Sequence, residues 1–244
     1  MLQRLEVKKL NLRRKKKANT GNSKFRSLIT HYDKKSPISE QYRTIRTNIE
    51  FSSVDQSLKT IIVTSAGPGE GKSTTTANLG VVFAQQGKKV LLIDGDLRKP
   101  TVHYTFQLDN TIGLTNVLTG QAEFSAAIKN SEVEHLSILT CGPIPPNPAE
   151  MLGSAAMKKF LGEASEQFDI IIIDSPPVLA VSDAQILSNL ADGIVLVTKS
   201  GQTEYDMALK ATELLKNSRA RLLGAILNHK DVKQSNYYYY YGDK

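Results

Sequence analysis

The sequence predicts a doubly wound α/β domain with a mostly parallel sheet. Short runs of β-branched and other apolar residues alternate with segments of helical period between residues 60 and 228, and this alternation is typical of strands joined by crossover helices. Several of the runs are apolar on both faces, as in strands that helices cover on both sides. The length of 244 residues suits one such domain, since α/β domains often reach about 200–250 residues.

Composition narrows the class of protein. With 40% hydrophobic residues the chain can bury a substantial core, so we do not expect disorder throughout. Cys141 is the only cysteine. A single cysteine excludes a disulfide, a Cys-based zinc site and a cysteine-held iron–sulfur cluster within one chain. This cysteine usage fits a reducing cytoplasm.

The positive charge is confined to one end of the chain. Residues 1–17 contain eight Lys or Arg and one acid, while the remaining 227 residues contain 23 bases and 23 acids. This distribution argues against a nucleic-acid-binding surface spread over the fold. The basic segment lacks the apolar stretch of a signal peptide, and no apolar run approaches the ~20 residues that cross a bilayer. We therefore expect a cytoplasmic protein with no specific nucleic-acid partner.

The elements are taken in order from the amino terminus. Residues 1–35 show no sustained apolar period and are expected to form a flexible arm. Ser36 and Pro37 favour a helix start, with Ser as the cap and Pro at the first helical position. Apolar residues then recur at helical spacing on one face, and they are Ile38, Tyr42, Ile45 and Ile49.

Beyond residue 59 the predicted strands and helices alternate. The strands are residues 60–65, 89–94, 136–140, 170–174, 193–199 and 221–228, and helical patterns lie near 73–86, 148–167, 182–190 and 204–217. After the last strand comes a run of successive tyrosines, Tyr237, Tyr238, Tyr239, Tyr240 and Tyr241. The predicted organisation is an arm over residues 1–35, a single domain over 36–230 and a tyrosine-rich tail over 231–244.

The segment from Ala66 to Thr74 is a Walker A loop with Ala in place of the first Gly. Glycines let the backbone form a nest of N–H groups around phosphates, at which the next helix points its N-terminus. Lys72 is expected to reach the β- and γ-phosphates, and the Ser73 hydroxyl to bind Mg²⁺. The residues expected to bind ATP are Gly67, Pro68, Gly69, Glu70, Gly71, Lys72, Ser73 and Thr74. A glycine-rich turn without a ligand is the weaker alternative, and the sheet is predicted to be of the P-loop NTPase type.

Acidic residues close two predicted strands. Asp94 and Asp96 follow one strand and Asp174 ends another, so we expect them at the carboxyl edge of the sheet, where such folds bind ligands. Asp174 fits a Walker B acid that orders Mg²⁺. One of Asp94 and Asp96 is expected to serve the metal and the other to face an incoming hydroxyl, although a single Asp here also fits a helix cap. Asn228, which ends the last strand, is expected to contact the base or to be a plain polar strand terminus.

Together these motifs resemble the bacterial tyrosine kinases (BY-kinases), in particular the cytoplasmic kinase of Gram-positive capsule and exopolysaccharide operons. The resemblance rests on Asp94-x-Asp96-x-Arg98 after an apolar strand, on the Pro-Gly-Glu-Gly-Lys-Ser loop and on the tyrosine cluster. It covers about residues 36–244 and includes the segments 36–46 and 142–150.

The resemblance implies roles for particular residues. The catalytic set is Lys72, Asp94, Asp96 and Asp174, with ATP and Mg²⁺ as cofactors and with Ser73, Asp94 and Asp174 at the metal. Tyr237–Tyr241 are implied as phosphoacceptors. The family forms rings through a Glu-x-x-Arg-x-x-Arg element, which Glu40, Arg43 and Arg46 match.

The resemblance also implies partners. A separate transmembrane modulator docks on such kinases at the inner face of the cell membrane and activates them. Protein tyrosine substrates, a cognate phosphatase and a homo-oligomeric ring are implied as well, together with a role in regulating polysaccharide synthesis and export.

Two other hypotheses stay open on the sequence. A nucleotide-switch ATPase of the partition or septum-site type shares the fold, but it usually carries an extra lysine where Gly67 stands, and it has no reason to end in five tyrosines. The second is a non-catalytic ATP-binding scaffold for polysaccharide machinery, and the presence of Lys72, Asp94, Asp96 and Asp174 together argues against it.

Overall fold

A computed structural model describes residues 28–52 and 58–230. The basic segment 1–17 and the tail with Tyr237–Tyr241 lie outside these residues, so the predictions made for them stay predictions.

The sheet has seven strands in the order β3-β4-β2-β5-β1-β6-β7. The strands are β1 Thr60–Ser65, β2 Val90–Asp94, β3 Lys129–Asn130, β4 Leu136–Leu139, β5 Ile170–Asp174, β6 Gly193–Lys199 and β7 Arg221–Asn228. All neighbouring pairs are parallel except β3 with β4. The predicted doubly wound, mostly parallel sheet is therefore confirmed, and every residue of β1, β2 and β5 is buried.

The helices lie on both faces of the sheet. They are α1 Ile29–Tyr32, α2 Pro37–Phe51, α3 Lys72–Ala84, α4 Val102–Phe106, α5 Leu114–Leu118, α6 Phe124–Ala127, α7 Pro148–Leu152, α8 Ala155–Gln167, α9 Asp183–Ser188 and α10 Tyr205–Lys216. The first four contribute to one hydrophobic cluster, around Leu79 and Phe83 of α3. The other six contribute to a second cluster on the opposite face, around Phe160 and Leu187. Among the described residues, no helix is long and apolar enough to cross a bilayer.

The boundary predicted at residue 35 is wrong, because the packed structure already includes residues 28–35. Leu28 is 1% exposed, and the Thr30 backbone N–H and hydroxyl both donate to Asn78 Oδ1, at 3.1 and 2.8 Å. A helix of four residues, α1, is too short to show a period, and its polar contact with α3 leaves no pattern in the sequence. The arm predicted for residues 1–27 lies outside the described part.

The helix predicted at Ser36 and Pro37 forms as expected, and Ser36 Oγ accepts a hydrogen bond from Ser39 N at 3.1 Å. Its apolar face is shorter than predicted, since Ile38 is 45% exposed while Ile49 is 5% exposed. The single helix predicted over 148–167 is divided into α7 and α8, because Ser154 caps α8 by accepting from Met157 N at 3.1 Å. The three short helices α4 to α6 and the two-residue β3 were not predicted.

Candidate active site

The Walker A loop joins the end of β1 to the start of α3. Gly69 and Gly71 have φ values of +75° and +93°, in the left-handed region that glycine adopts without steric cost. Gly71 caps α3, and a Cβ there would lie 2.0 Å from Nδ2 of Asn228. Glycine is therefore required at this position both by the backbone conformation and by the close approach of the end of β7.

Backbone N–H groups of this loop are available to a ligand. Within residues 28–52 and 58–230, those of Gly69, Glu70 and Gly71 donate to no other group. They lie at the amino terminus of α3, which has 13 residues and whose dipole adds positive potential. Because such N–H groups at a helix start bind phosphate, the residues present fit the phosphates of ATP.

Lys72 lies between two carboxylates that follow different strands. Its Nζ donates to Asp96 Oδ2 at 3.0 Å and to Asp174 Oδ2 at 3.4 Å. The side chains of Lys72, Asp96 and Asp174 are only 12%, 6% and 0% exposed, and charges interact more strongly in such dry surroundings than in water. The carboxylates meet because β2 and β5 are hydrogen-bonded neighbours, so the predicted convergence of these residues is what the structure shows.

Asp94 contacts backbone groups instead of Lys72. Its Oδ2 accepts from the N–H groups of Thr101 and Val102 at 3.0 and 2.9 Å, and its Oδ1 accepts from Asp96 N at 3.3 Å. Asp94 thus holds the loop between β2 and α4, while Asp96 faces Lys72. The predicted role of Asp94 as a metal ligand stays a prediction. In that role the metal would bind carboxylate oxygens that already accept hydrogen bonds from the loop.

Burial and charge shift the pKa values of the buried groups. Burial, followed by the charge of Asp174, raises the pKa of Asp94 to about 7, although the Val102 N–H opposes this shift. Burial also raises the pKa of Asp174, against the opposing charge of Lys72. For Lys72, burial acts to lower the pKa, but the negative charges of Asp174 and Asp96 outweigh it and the pKa is raised. Lys72 therefore carries a full positive charge at neutral pH.

Two contacts fix the Walker A loop from outside. Thr203, in the loop between β6 and α10, donates its hydroxyl to Glu70 Oε1 at 2.5 Å, and Asn228 Nδ2 donates to the Glu70 carbonyl at 3.0 Å. Asn228 Oδ1 in turn accepts from His229 N at 2.8 Å. Both polar atoms of the Asn228 amide are thus engaged by the protein itself, and contact with a base stays a prediction. Glu70 Oε2 is buried and has no hydrogen-bond partner within the described segments.

The oxygen atoms near Lys72 suit a magnesium ion whose remaining ligands are water and the phosphates of ATP. Ser73 Oγ lies 3.3 Å from Lys72 Nζ and so belongs to the same cluster. In the part of the chain that the structure describes, no group of three or more His, Cys, Asp or Glu side chains is arranged to hold a metal. Mg²⁺ in phosphate-transfer sites usually takes one or two protein oxygens and completes its shell with water and substrate phosphates. Ser73 and Asp174 can supply those oxygens.

Several residues of the site were not predicted. Thr76 donates its hydroxyl to Asp174 Oδ1 at 3.3 Å, Thr203 holds Glu70, and Asp183 pairs with Arg98. Thr76 lies one helical turn after Lys72, so the spacing in the Walker A helix was an available signal. Thr203 and Asp183 lie 133 and 85 residues from their partners, and a single sequence gives no signal for such pairs.

The three residues predicted to mediate self-association differ in their surroundings. Glu40 and Arg43 form an ion pair on the outside of α2, with side chains 65% and 28% exposed. Arg46 is 14% exposed, and its Nη1 donates to the carbonyl oxygen of Val82 in α3 at 2.9 Å. Arg46 thus differs from the other two residues of this element, because its guanidinium binds a carbonyl oxygen near the end of α3 instead of facing solvent. Their role between chains stays a prediction.

Comparison with known proteins places the chain among kinases. The family model described as "AAA domain" matches residues 58–220. The chain is 58% identical to the tyrosine-protein kinase YwqD of Bacillus subtilis (strain 168), over 93% of this chain and 95% of that protein. It is 42% identical to the putative tyrosine-protein kinase CapB of Staphylococcus aureus, over 88% of this chain and 95% of the relative.

Solved structures agree with this placement. The kinase domain of Escherichia coli tyrosine kinase ETK superposes with a TM-score of 0.81 at 30% identity, over 88% of this chain and 84% of that one. The septum site-determining protein MinD of Pyrococcus horikoshii OT3, complexed with Mg-ADP, superposes with a TM-score of 0.60 at 29% identity, over 69% of each chain. The septum-site alternative thus corresponds to a more distant neighbour.

Proposed function

The chain belongs to the family of bacterial tyrosine-protein kinases, and we propose that it transfers the terminal phosphoryl group of Mg-ATP to protein tyrosines, including Tyr237–Tyr241 of its own tail. One observation carries this proposal, namely the buried cluster in which Lys72 lies 3.0 Å from Asp96 and 3.4 Å from Asp174 beside a loop of available N–H groups. A fixed cation for phosphate charge and a nearby carboxylate for a hydroxyl proton are the parts that phosphoryl transfer requires.

Each residue of the site has its own role in phosphoryl transfer, which follows from its surroundings. Mg-ATP supplies the phosphoryl group, whose bond to the ADP oxygen breaks as a bond to the tyrosine oxygen forms. The N–H groups of the Walker A loop and Lys72 bind the phosphates and stabilise their negative charge. Asp96 accepts the tyrosine proton, since a hydroxyl of pKa about 10 is protonated at neutral pH and needs a positioned base. Ser73 and Asp174 would hold the Mg²⁺ ion, which would offset the negative charge of the phosphates.

The proposed setting follows the resemblance to kinases of capsule and exopolysaccharide operons. We place the protein at the inner face of the cell membrane, bound to a transmembrane modulator and assembled as a ring. A cognate phosphatase would reverse the modification. Phosphorylation of the tail would regulate polysaccharide synthesis and export, with about −1.5 to −2 charges added at each tyrosine.

An immunoblot for phosphotyrosine after incubation with Mg-ATP tests the activity. The wild type should be labelled, and a Lys72→Met variant should not, because it loses the cation that stabilises phosphate charge. Lys159→Met is the matched control, since Lys159 is 79% exposed and pairs with Glu163 on α8, and this variant should be labelled like the wild type. Absence of phosphotyrosine in a wild-type protein that binds ATP, assayed with membranes that contain the proposed modulator, would overturn the proposed function.

A further inference from the structure

A paired, buried carboxylate outside the Walker motifs joins two of the loops that form the site. Asp183 is 0% exposed. Arg98 donates to it through two parallel hydrogen bonds, from Nε to Oδ2 at 2.9 Å and from Nη2 to Oδ1 at 3.0 Å. This fork geometry fixes the guanidinium in orientation as well as in distance.

The Asp183 carboxylate depends on this one partner. Among the described residues, Arg98 is the only cation within ion-pair distance of it. A fully buried carboxylate that lost its counter-ion would be strongly destabilised, so the two residues remain together as long as the fold is intact. The Arg98 side chain is 40% exposed, and the pair therefore lies at the rim of the site.

The two residues stand on the loops that carry the catalytic acids. Arg98 comes two residues after Asp96, in the loop between β2 and α4, whereas Asp183 starts α9, nine residues after Asp174 at the end of β5. A second link joins these loops, since Gly95 N donates to the Asp174 carbonyl oxygen at 2.8 Å. Asp96 thus lies between two points at which its loop is held to the loop that follows β5.

We propose that Asp183 is a positioning residue of the phosphotransfer site, which acts through Arg98 to hold Asp96 at its distance from Lys72 and Asp174. The inference rests on the proposed kinase function and adds a residue to it. Asp183 itself contacts none of these three side chains, and its effect passes through the backbone between Arg98 and Asp96. A displacement of about 1 Å in a catalytic group can cost about 100-fold in rate, which is the scale of effect expected here.

Three variants test the proposal. Asp183→Asn removes the negative charge of the carboxylate and one of the two oxygens that accept from Arg98. Arg98→Lys keeps the positive charge but cannot form the two parallel hydrogen bonds. The matched control is Asp192→Asn, because Asp192 Oδ2 accepts from the N–H groups of Lys59 and Thr60, at 2.9 and 2.8 Å, at the opposite end of β1. For each variant kcat and KM for tyrosine phosphorylation, the Kd of a fluorescent ATP analogue and the Tm are measured.

The test of the proposal is whether kcat falls while the Kd for nucleotide stays nearly unchanged. Asp183→Asn and Arg98→Lys should lower kcat by roughly 10- to 100-fold while the nucleotide Kd stays within about threefold, because Asp96 moves and the Walker A loop does not. Asp192→Asn should leave kcat unchanged, whatever its Tm. Wild-type kcat in both site variants, at a temperature where they are folded, would assign the pair to stability alone and overturn the proposal.

A variant that does not fold and a wild type without activity have different consequences for the proposal. Should Asp183→Asn fail to fold, Arg98→Lys decides alone, because it leaves a cation beside the buried carboxylate. A wild-type protein that labels no tyrosine at all contradicts the proposed function, whereas a labelled wild type with fully active site variants contradicts only the role of Asp183.

Discussion

At the scale of single residues, three acids that look equivalent in the sequence make different contacts in the site. Asp94, Asp96 and Asp174 all end or follow buried strands, yet only Asp96 and Asp174 contact Lys72. Asp94 receives three backbone N–H groups, which a strand-end pattern does not indicate. The identity of the acids was thus predictable from local sequence, but their division of work depends on loop conformation.

Asp96→Asn is expected to separate binding from transfer. The Asn side chain keeps the size of Asp96 but does not accept a proton, so ATP affinity should change by only a few-fold while tyrosine phosphorylation falls by about 100-fold or more. Fluorescent nucleotide binding and a phosphotyrosine assay measure the two effects. Asp109→Asn serves as the control, because Asp109 is an exposed surface residue. Full transfer activity in Asp96→Asn would refute the role of Asp96 as the base.

Cys141 is expected to be chemically inert in the folded protein. It is 0% exposed, and burial, the largest cause, raises the pKa of its thiol to about 12. The thiolate that reacts with alkylating reagents is therefore scarce at pH 8, whereas an unfolded cysteine with a pKa of about 8.5 reacts readily. Labelling by iodoacetamide, followed by mass spectrometry, should occur only at the rate of unfolding and should be immediate in denaturant. Rapid labelling under native conditions would contradict the buried placement.

At the scale of elements, the sequence predicted those that carry a strong period or a motif. All six predicted strands appear, because five-residue runs such as that of β5 are buried on both faces and read as continuous apolar segments. α1, α4 to α6 and β3 have five residues or fewer, too few for a helical or strand period to show. The contacts between elements, such as that of Thr203 with Glu70, could not be predicted because their residues lie far apart in the sequence.

Helix α2 offers a matched pair of arginines. Arg43→Ala removes an ion pair with Glu40 and a hydrogen bond from Nη2 to the Lys34 carbonyl oxygen at 2.6 Å. Both contacts lie at the exposed surface, where such interactions contribute little to folding. Arg46→Ala removes a charged hydrogen bond to the Val82 carbonyl oxygen, which should cost about 1.5–3 kcal/mol. The expected result is a nearly unchanged Tm for Arg43→Ala and a Tm lower by several degrees for Arg46→Ala.

Light scattering on the same two variants tests the predicted ring. Arg43 is the better probe of an interface between chains, since its loss leaves the fold intact, and bidentate pairing with a carboxylate of a neighbour suits its position. We expect Arg43→Ala to lower the assembled mass at a Tm close to that of the wild type. An assembled mass identical to that of the wild type would remove Arg43 from the interface.

At the scale of the whole molecule, the parallel sheet places the end of β7 at the edge that carries the Walker A loop. β7 runs parallel to β6, and β6 runs parallel to β1, so the carboxyl ends of β7 and β1 lie on one side. The contact of Asn228 with the Glu70 carbonyl at 3.0 Å shows how close the end of β7 comes to the Walker A loop. The described chain therefore ends on the side of the Walker A loop, and the tail itself lies outside the described residues.

This placement argues for transfer between chains. The eight residues between Asn228 and Tyr237 span at most roughly 30 Å when extended, at ~3.3–3.6 Å each. We expect this length to reach the site of a neighbour in the proposed ring, whereas entry into the site of the same chain would require a tight reversal after Asn228. Phosphates added to the tail would repel each other and the neighbouring tails, so the modification should limit itself and loosen the ring.

A mixing experiment decides between transfer within one chain and transfer between chains. Lys72→Met protein with an intact tail is combined with active protein whose five tail tyrosines are changed to Phe, and Mg-ATP is added. Only the inactive chain can then accept phosphate at Tyr237–Tyr241, so a phosphorylated tail, mapped by mass spectrometry, shows that the active partner reached it. The Lys72→Met protein alone is the control and should remain unlabelled. If the active partner labels an added tyrosine-containing peptide while the tail of the inactive chain stays unmodified, transfer occurs within one chain and the reach argued from Asn228 does not govern it.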